Sequence, residues 1–210
     1  ADTLPNEPQR LTLGMYGANT DFYDIKGIVD TLLDALGIHD TEYLRIANSI
    51  SFDEKTAFHP GRSAVILKDG VEIGVLGEIH PDTAANYGFG VKVYTAKINI
   101  TEIIALAETE ISYKPLPKYP ATTRDLSLIC DDDIQAADIE KTIKKAAGKL
   151  LEKVTLFDVY KGKQIEDGKK SISYSLSMRS HDGTLTDEQA DSVMKKVLKA
   201  LKEIGADLRL

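Results

Sequence analysis

Ser171-Ile172-Ser173-Tyr174-Ser175-Leu176-Ser177-Met178-Arg179 decides the fold of the second half of this chain. Large apolar side chains alternate with serines along the whole run, the mark of a strand with one face in a core and the other in water. Upstream, beyond a loop holding Gly162 and Gly168, Lys153 to Tyr160 is rich in β-branched and aromatic residues and reads as another strand. Before that, Ala136 to Ala147 sets Ile139 and Ile143 on one helical face, with Gly148 as C-cap and Asp131-Asp132-Asp133 offering acceptors and negative charge at the helix start. Arg124 to Cys130 forms the first strand, around Leu126 and Leu128. Downstream, Thr186 and Gln189 occupy capping-box positions before a helix whose apolar face is Val193, Val197, Leu198 and Leu201. Gly205 ends that helix and Ala206 to Leu210 closes as a short strand. The order βαββαβ is the split βαβ, or ferredoxin-like, arrangement.

Working outward, residues 113–120 hold three prolines, which makes them extended and stiff. The charge balance changes sign there: residues 1–112 carry 8 Lys+Arg against 17 Asp+Glu, a balance of −9, and residues 113–210 carry 18 against 16, a balance of +2. The expected organisation is a domain over 1–112, a Pro-rich linker over 113–120 and a domain over 121–210. With 42% hydrophobic residues, the 210-residue chain has enough apolar material for two packed cores. No apolar run approaches the roughly 20 residues that span a bilayer, and Ala1-Asp2-Thr3-Leu4-Pro5 has no signal-peptide character. The single cysteine, Cys130, between apolar neighbours, reads as a buried structural thiol. A cytoplasmic protein with no membrane partner is the expectation.

In the first domain, Leu11 to Tyr16 reads as a strand and Tyr23 to Leu36 as an amphipathic helix on Ile25, Ile28, Val29, Leu32 and Leu33. Arg62 to Leu67 and Val71 to Leu76 flank Asp69-Gly70, a strong hairpin signal. Pro81 to Tyr87 reads as a short helix and Val91 to Ile100 as a strand. The expected class is α+β, with a largely antiparallel sheet in this domain.

Catalytic signals are sparse. The four histidines, His39, His59, His80 and His181, lack metal-ligand spacing, and no Gly-rich phosphate loop or nucleophile elbow is present. No catalytic residue, metal site or resident cofactor is expected from the motifs. Two stretches, Phe58-His59-Pro60-Gly61-Arg62-Ser63-Ala64 and Gly77-Glu78-Ile79-His80-Pro81, gather polar side chains. One reading makes the two stretches a small ligand or metal pocket, and an extension of it makes His59, Glu78 and His80 the site of a small acidic-pocket enzyme. The preferred one makes His59, Arg62, Glu78 and His80 a structural polar clamp around a Pro-Gly turn.

Strand alternation gives the second domain a direction. Ile172, Tyr174, Leu176 and Met178 face the helices, which leaves Ser171, Ser173, Ser175, Ser177 and Arg179 on the opposite face. On the preceding strand, Leu156, Asp158 and Tyr160 share one side. If Tyr160 lies on the helix-free face, its ring stands beside small hydroxyls near Lys161, Lys163 and Arg179. Single-stranded RNA is often bound by such a sheet, through base stacking and phosphate attraction. The alternatives are a solubilising serine face with Tyr160 plugging the sheet edge, or an assembly module with Tyr160 as a protein-interface hot spot.

The two polar stretches of the first domain, together with Phe22-Tyr23-Asp24-Ile25-Lys26-Gly27, resemble bacterial phenylalanyl-tRNA synthetase beta subunits. So do Lys118-Tyr119-Pro120-Ala121, Arg124-Asp125-Leu126, Leu156 to Gly162, Gly168 to Ser171 and Thr184 to Glu188, in order along nearly the whole chain. The resemblance implies a class II synthetase-like domain without catalysis over 1–112, packed on a catalytic alpha subunit in an α2β2 assembly. It implies a ferredoxin-fold anticodon-binding domain over the rest, holding the anticodon stem-loop of the phenylalanine tRNA. Tyr160 stands where the family places an aromatic that stacks on an anticodon base. Lys161, Lys163, Arg179, Arg124, Ser175 and Ser177 are the accompanying RNA-binding candidates, chosen by face and charge. Alternation sets Arg124 on the Leu126 side, where clamping the sheet end is the other option. Aminoacylation, with its ATP and magnesium, would belong to the alpha subunit. Such beta subunits are several times longer and carry an editing module upstream, so this chain is expected neither to edit nor to aminoacylate alone.

Overall fold

A computed structural model describes residues 7–49, 52, 56–108, 110, 113 and 115–209. The chain forms two compact units, residues 1–112 and 113–210. In the first, β1 (Arg10–Tyr16), β2 (Glu42–Arg45), β3 (Phe58–Lys68), β4 (Val71–Ile79) and β5 (Val93–Asn99) build an antiparallel sheet in the order β1-β5-β4-β3-β2. Helix α1 (Phe22–Ala35) starts at a capping box between Asp21 and Asp24 and buries Ile25, Val29 and Leu33 among Ile66, Ile73, Leu76, Tyr94, Ala96 and Ile98. Val65 and Val75 turn the other way, into a smaller core with Ile46, Phe52 and Phe58. Burial on both faces accounts for the unbroken apolar run Ala64-Val65-Ile66-Leu67 in β3. Asp69 and Gly70 both adopt positive φ, the signature of the tight hairpin turn anticipated from the sequence.

Three details of this unit depart from the sequence reading. Strand β2 is a four-residue edge strand, too short to show a period. The last strand stops at Asn99, whose side chain accepts from the Thr101 amide and so starts α3 (Ile100–Leu106). Pro60-Gly61 is not a turn: β3 runs through it, with a register irregularity between Phe58 and Ser63. Pro81 does open a short helix, α2 (Pro81–Asn86), with the His80 side chain as its N-cap.

The second unit is the βαββαβ order: β6 (Thr122–Asp131), α4 (Ala136–Ala147), β7 (Leu151–Tyr160), β8 (Lys169–Met178), α5 (Asp187–Glu203) and β9 (Asp207–Leu208). Its antiparallel sheet has the order β7-β8-β6-β9. Leu126, Leu128, Cys130, Ile172, Tyr174, Leu176 and Met178 are all buried against Ile139, Ile143, Val193, Val197 and Leu201 of the helices. Burial pushes the Cys130 thiol pKa up, in keeping with a structural role. Thr186 and Gln189 form the expected capping box. The start of α4 differs: its N-cap is Gln135, with no side-chain cap, and the acidic run lies in the end of β6 and the following turn.

Candidate nucleic-acid interface

The face of the second sheet away from α4 and α5 is assembled by register. Tyr160 and Ile129 flank Ser171, Asp158 and Ser127 flank Ser173, Thr155 and Asp125 flank Ser175, and Lys153 and Thr123 flank Ser177. Antiparallel partners share a face, so Tyr160 stands on the serine side. It gets there through an irregularity. Leu156 pairs with helix-facing Tyr174, yet Asp158 pairs with outward-facing Ser173, so Phe157 is an extra residue in β7. Leu156 therefore does not share a side with Asp158 and Tyr160, contrary to simple alternation. Phe157 is left 57% exposed on the edge strand and Tyr160 37% exposed at its end.

The serines are less free than a carpet of hydroxyls suggests. Ser171 and Ser173 are buried, and Ser173 shares a 2.9 Å hydrogen bond with Ser127. Ser171 accepts from the guanidinium of Arg209 at 3.2 Å. Ser175 is half-buried, and Ser177 donates to Glu152 at 3.2 Å. Arg209 is thus the cation that the fold brings beside the Tyr160–Ser171 pair. The sequence reading missed it because the pairing of β9 with β6 is set by tertiary structure, and two residues of strand carry no period.

The loop after Tyr160 is built rather than loose. Lys161 pairs with Asp132 at 2.5 Å and holds that carboxyl below the usual range. The Asp132 amide donates to the Gly168 carbonyl at 2.9 Å, and the Lys170 ammonium donates to the carbonyls of Asp132 and Ile134. Ile165 is buried, and its amide bonds the Gly162 carbonyl at 2.8 Å. Lys163 is exposed in the same loop.

The other two basic candidates lie elsewhere. Arg179 follows the opposite end of β8, about 25 Å along the strand from Ser171 at ~3.3 Å per residue. There it grips Glu152 at 3.0 and 3.1 Å and the Tyr119 carbonyl, and it holds the Glu152 carboxyl below its ordinary pKa. Arg124 projects on the helix side and pairs with Asp187 at 2.6 Å and Asp191 at 3.7 Å. Both fix the far end of the domain, so neither joins Tyr160.

In the first unit, Arg62 holds buried Glu78 bidentately at 2.5 and 2.8 Å, and this lowers the Glu78 pKa. The rings of His59 and His80 stack at 6.3 Å, and their Nδ1 atoms accept from the Gly61 and Asp82 amides. Gly77 makes this approach possible: at φ +144°, a Cβ there would lie 2.5 Å from the Arg62 carbonyl oxygen. With both Glu78 oxygens taken by a guanidinium, this donor set does not fit a magnesium-bound nucleotide. Among the described residues, no group of three His, Cys, Asp or Glu side chains is placed to hold a metal.

The second unit is thus a helix-backed split βαβ sheet with a tyrosine on the face away from the helices, and comparison with known proteins specifies the kind. Residues 117–209 match the family model for the ferredoxin-fold anticodon binding domain, and residues 1–100 match that for the phenylalanyl tRNA synthetase beta chain CLM domain. Both halves of the chain therefore match domains described from aminoacyl-tRNA synthetases. Phenylalanine–tRNA ligase beta subunits are similar along nearly the whole chain. That of Clostridium acetobutylicum is 42% identical over 207 residues, which is 98% of this chain and 25% of the relative. That of Symbiobacterium thermophilum is 36% identical over 219 residues (99% and 24%), and that of Bacillus subtilis 36% over 215 (96% and 26%). The chain belongs to the phenylalanine–tRNA ligase beta-subunit family, and it spans about a quarter of the length of these relatives.

Proposed function

We propose that residues 121–210 hold the anticodon stem-loop of the phenylalanine tRNA on the uncovered sheet face, with Tyr160 stacking on an anticodon base. The observation that carries this reading is the Tyr160 ring, partly exposed at the end of β7 beside Ser171 and Arg209. Lys163 and Arg209 supply positive charge. Lys161 contributes through its grip on Asp132, and Ser175 lines the sheet further along. Arg124, Arg179 and Ser177 support the domain from its far end. Residues 1–112 serve as a synthetase-like module that packs on the catalytic alpha subunit in an α2β2 ligase, with His59, Arg62, Glu78 and His80 as its structural clamp. ATP and magnesium act in the alpha subunit, and the assembly works in the cytoplasm. Among the described residues no helix is long and apolar enough to cross a membrane.

The test is a titration with an anticodon stem-loop of that tRNA at low and moderate salt. Tyr160→Ala should lose about 1–3 kcal/mol of affinity, the worth of one stacked base. Tyr160→Phe, which keeps the ring, should lose little. Equal binding by the wild type and Tyr160→Ala, both folded, would overturn the reading.

A further inference from the structure

Two residues beyond Tyr160 the chain has a glycine that no backbone requirement explains. Gly162 is not among the residues with positive φ, so no left-handed conformation calls for a glycine there. What a side chain there would meet is the tyrosine. A Cβ built on Gly162 would run into the phenol oxygen of Tyr160 and lie 2.6 Å from Cζ and 3.2 Å from Cε1 of the ring. These are the three nearest heavy atoms, and all belong to that one side chain. The phenol end of Tyr160 therefore occupies the space in which a side chain at 162 would sit.

The loop that carries Gly162 keeps that space in place. Its carbonyl accepts from the Ile165 amide at 2.8 Å, and Ile165 is buried. On the near side, Lys161 is tied to Asp132; on the far side, the Gly168 carbonyl is tied to the Asp132 amide. Between a strand end and two tethers, Gly162 has little room to withdraw, whereas the ring can turn about its side-chain bonds. A methyl group at 162 would thus be relieved by moving the ring, not the backbone.

From this geometry we infer that Gly162 is a positioning residue for Tyr160: its missing side chain seats the ring in the orientation that accepts a base. The inference rests on the RNA-binding reading above and deepens it. Orienting the ring beforehand means that less ordering is left to be done on binding.

The test is a double-mutant cycle with the same anticodon stem-loop: wild type, Gly162→Ala, Tyr160→Ala and the double variant, each checked for folding by thermal unfolding. Gly162→Ala should unfold near the wild-type temperature and bind at least about fivefold more weakly, the lower end of the worth of a stacked base. In the Tyr160→Ala background the same substitution should change affinity by less than about twofold, because the ring it displaces is gone. A Gly162→Ala loss that persists in that background overturns the inference, as does full affinity in Gly162→Ala alongside a Tyr160→Ala loss. Failure of Tyr160→Ala itself to weaken binding would instead sink the RNA reading. The seat is also read without RNA: the ring resonances of a labelled Tyr160 must shift in Gly162→Ala, and unmoved resonances overturn the inference.

Discussion

At the scale of single residues, the Arg62–Glu78 pair is the interaction most open to test. Glu78 is buried, and Arg62 is its charge partner although that side chain is 45% exposed. Removing the partner of a buried charge costs about 3–5 kcal/mol, and partial exposure of the arginine lowers this to about 2 kcal/mol for Arg62→Ala. The pH dependence follows from the direction of the shift. Because Glu78 in the folded protein has a pKa below its ordinary value, its contribution is full at neutral pH and fades as pH falls below about 4.3. Urea unfolding followed by tyrosine fluorescence should show the gap between wild type and Arg62→Ala holding from pH 7 to about pH 5 and narrowing as pH falls below about 4.3. A constant gap would mean that another group carries the effect. The sequence could group these four residues, His59, Arg62, Glu78 and His80, because they lie in two short stretches next to strand signals. Arg209 was not, since only tertiary pairing brings it to Ser171.

At the scale of elements, periodicity carried most of the fold. The alternation in β8 fixed which side of the second sheet meets the helices, and the capping box fixed where α5 begins. The Thr186 side chain accepts from the Gln189 amide at 3.3 Å, and the Gln189 side chain accepts from the Thr186 amide at 3.0 Å. Thr186→Ala should destabilise the second unit by about 1 kcal/mol, lowering its melting temperature by about 4–8 °C; a calorimetric scan would measure this. An unchanged melting temperature would mean that α5 is held by its packing on Ile139 and Ile143 and not by its cap. Periodicity failed where a strand gained a residue. Phe157 in β7 breaks the alternation without a local sequence signal, whereas the irregular stretch before Ser63 in β3 holds Pro60-Gly61, which reads equally as a turn. An extra residue is absorbed by strand pairing, which a single strand cannot reveal.

At the scale of the whole molecule, each unit closes its own hydrophobic core. The core around Leu126, Ile139, Tyr174 and Val197 draws all its buried members from residues 126–206, and the cores around Val29 and Val65 draw theirs from 25–103. Residues 113–210 alone should therefore fold cooperatively. The charge division matters as well. The first unit carries a balance of −9 and the second +2, so removing the acidic unit takes away long-range repulsion of a polyanion. The isolated second unit should bind the anticodon stem-loop at least as tightly as the whole chain, with the advantage greatest at low salt and fading as ionic strength shortens the Debye length to about 8 Å near 0.15 M. Lys163→Ala in that unit should flatten the plot of log K against log salt by about 0.7 if Lys163 neutralises one phosphate of the single-stranded loop. Tyr160→Ala should lower affinity without changing the slope, because stacking releases no counterions. If the isolated unit folds but has lost affinity, the acidic unit must itself contribute to RNA binding, and the division of labour between the two cores would fall.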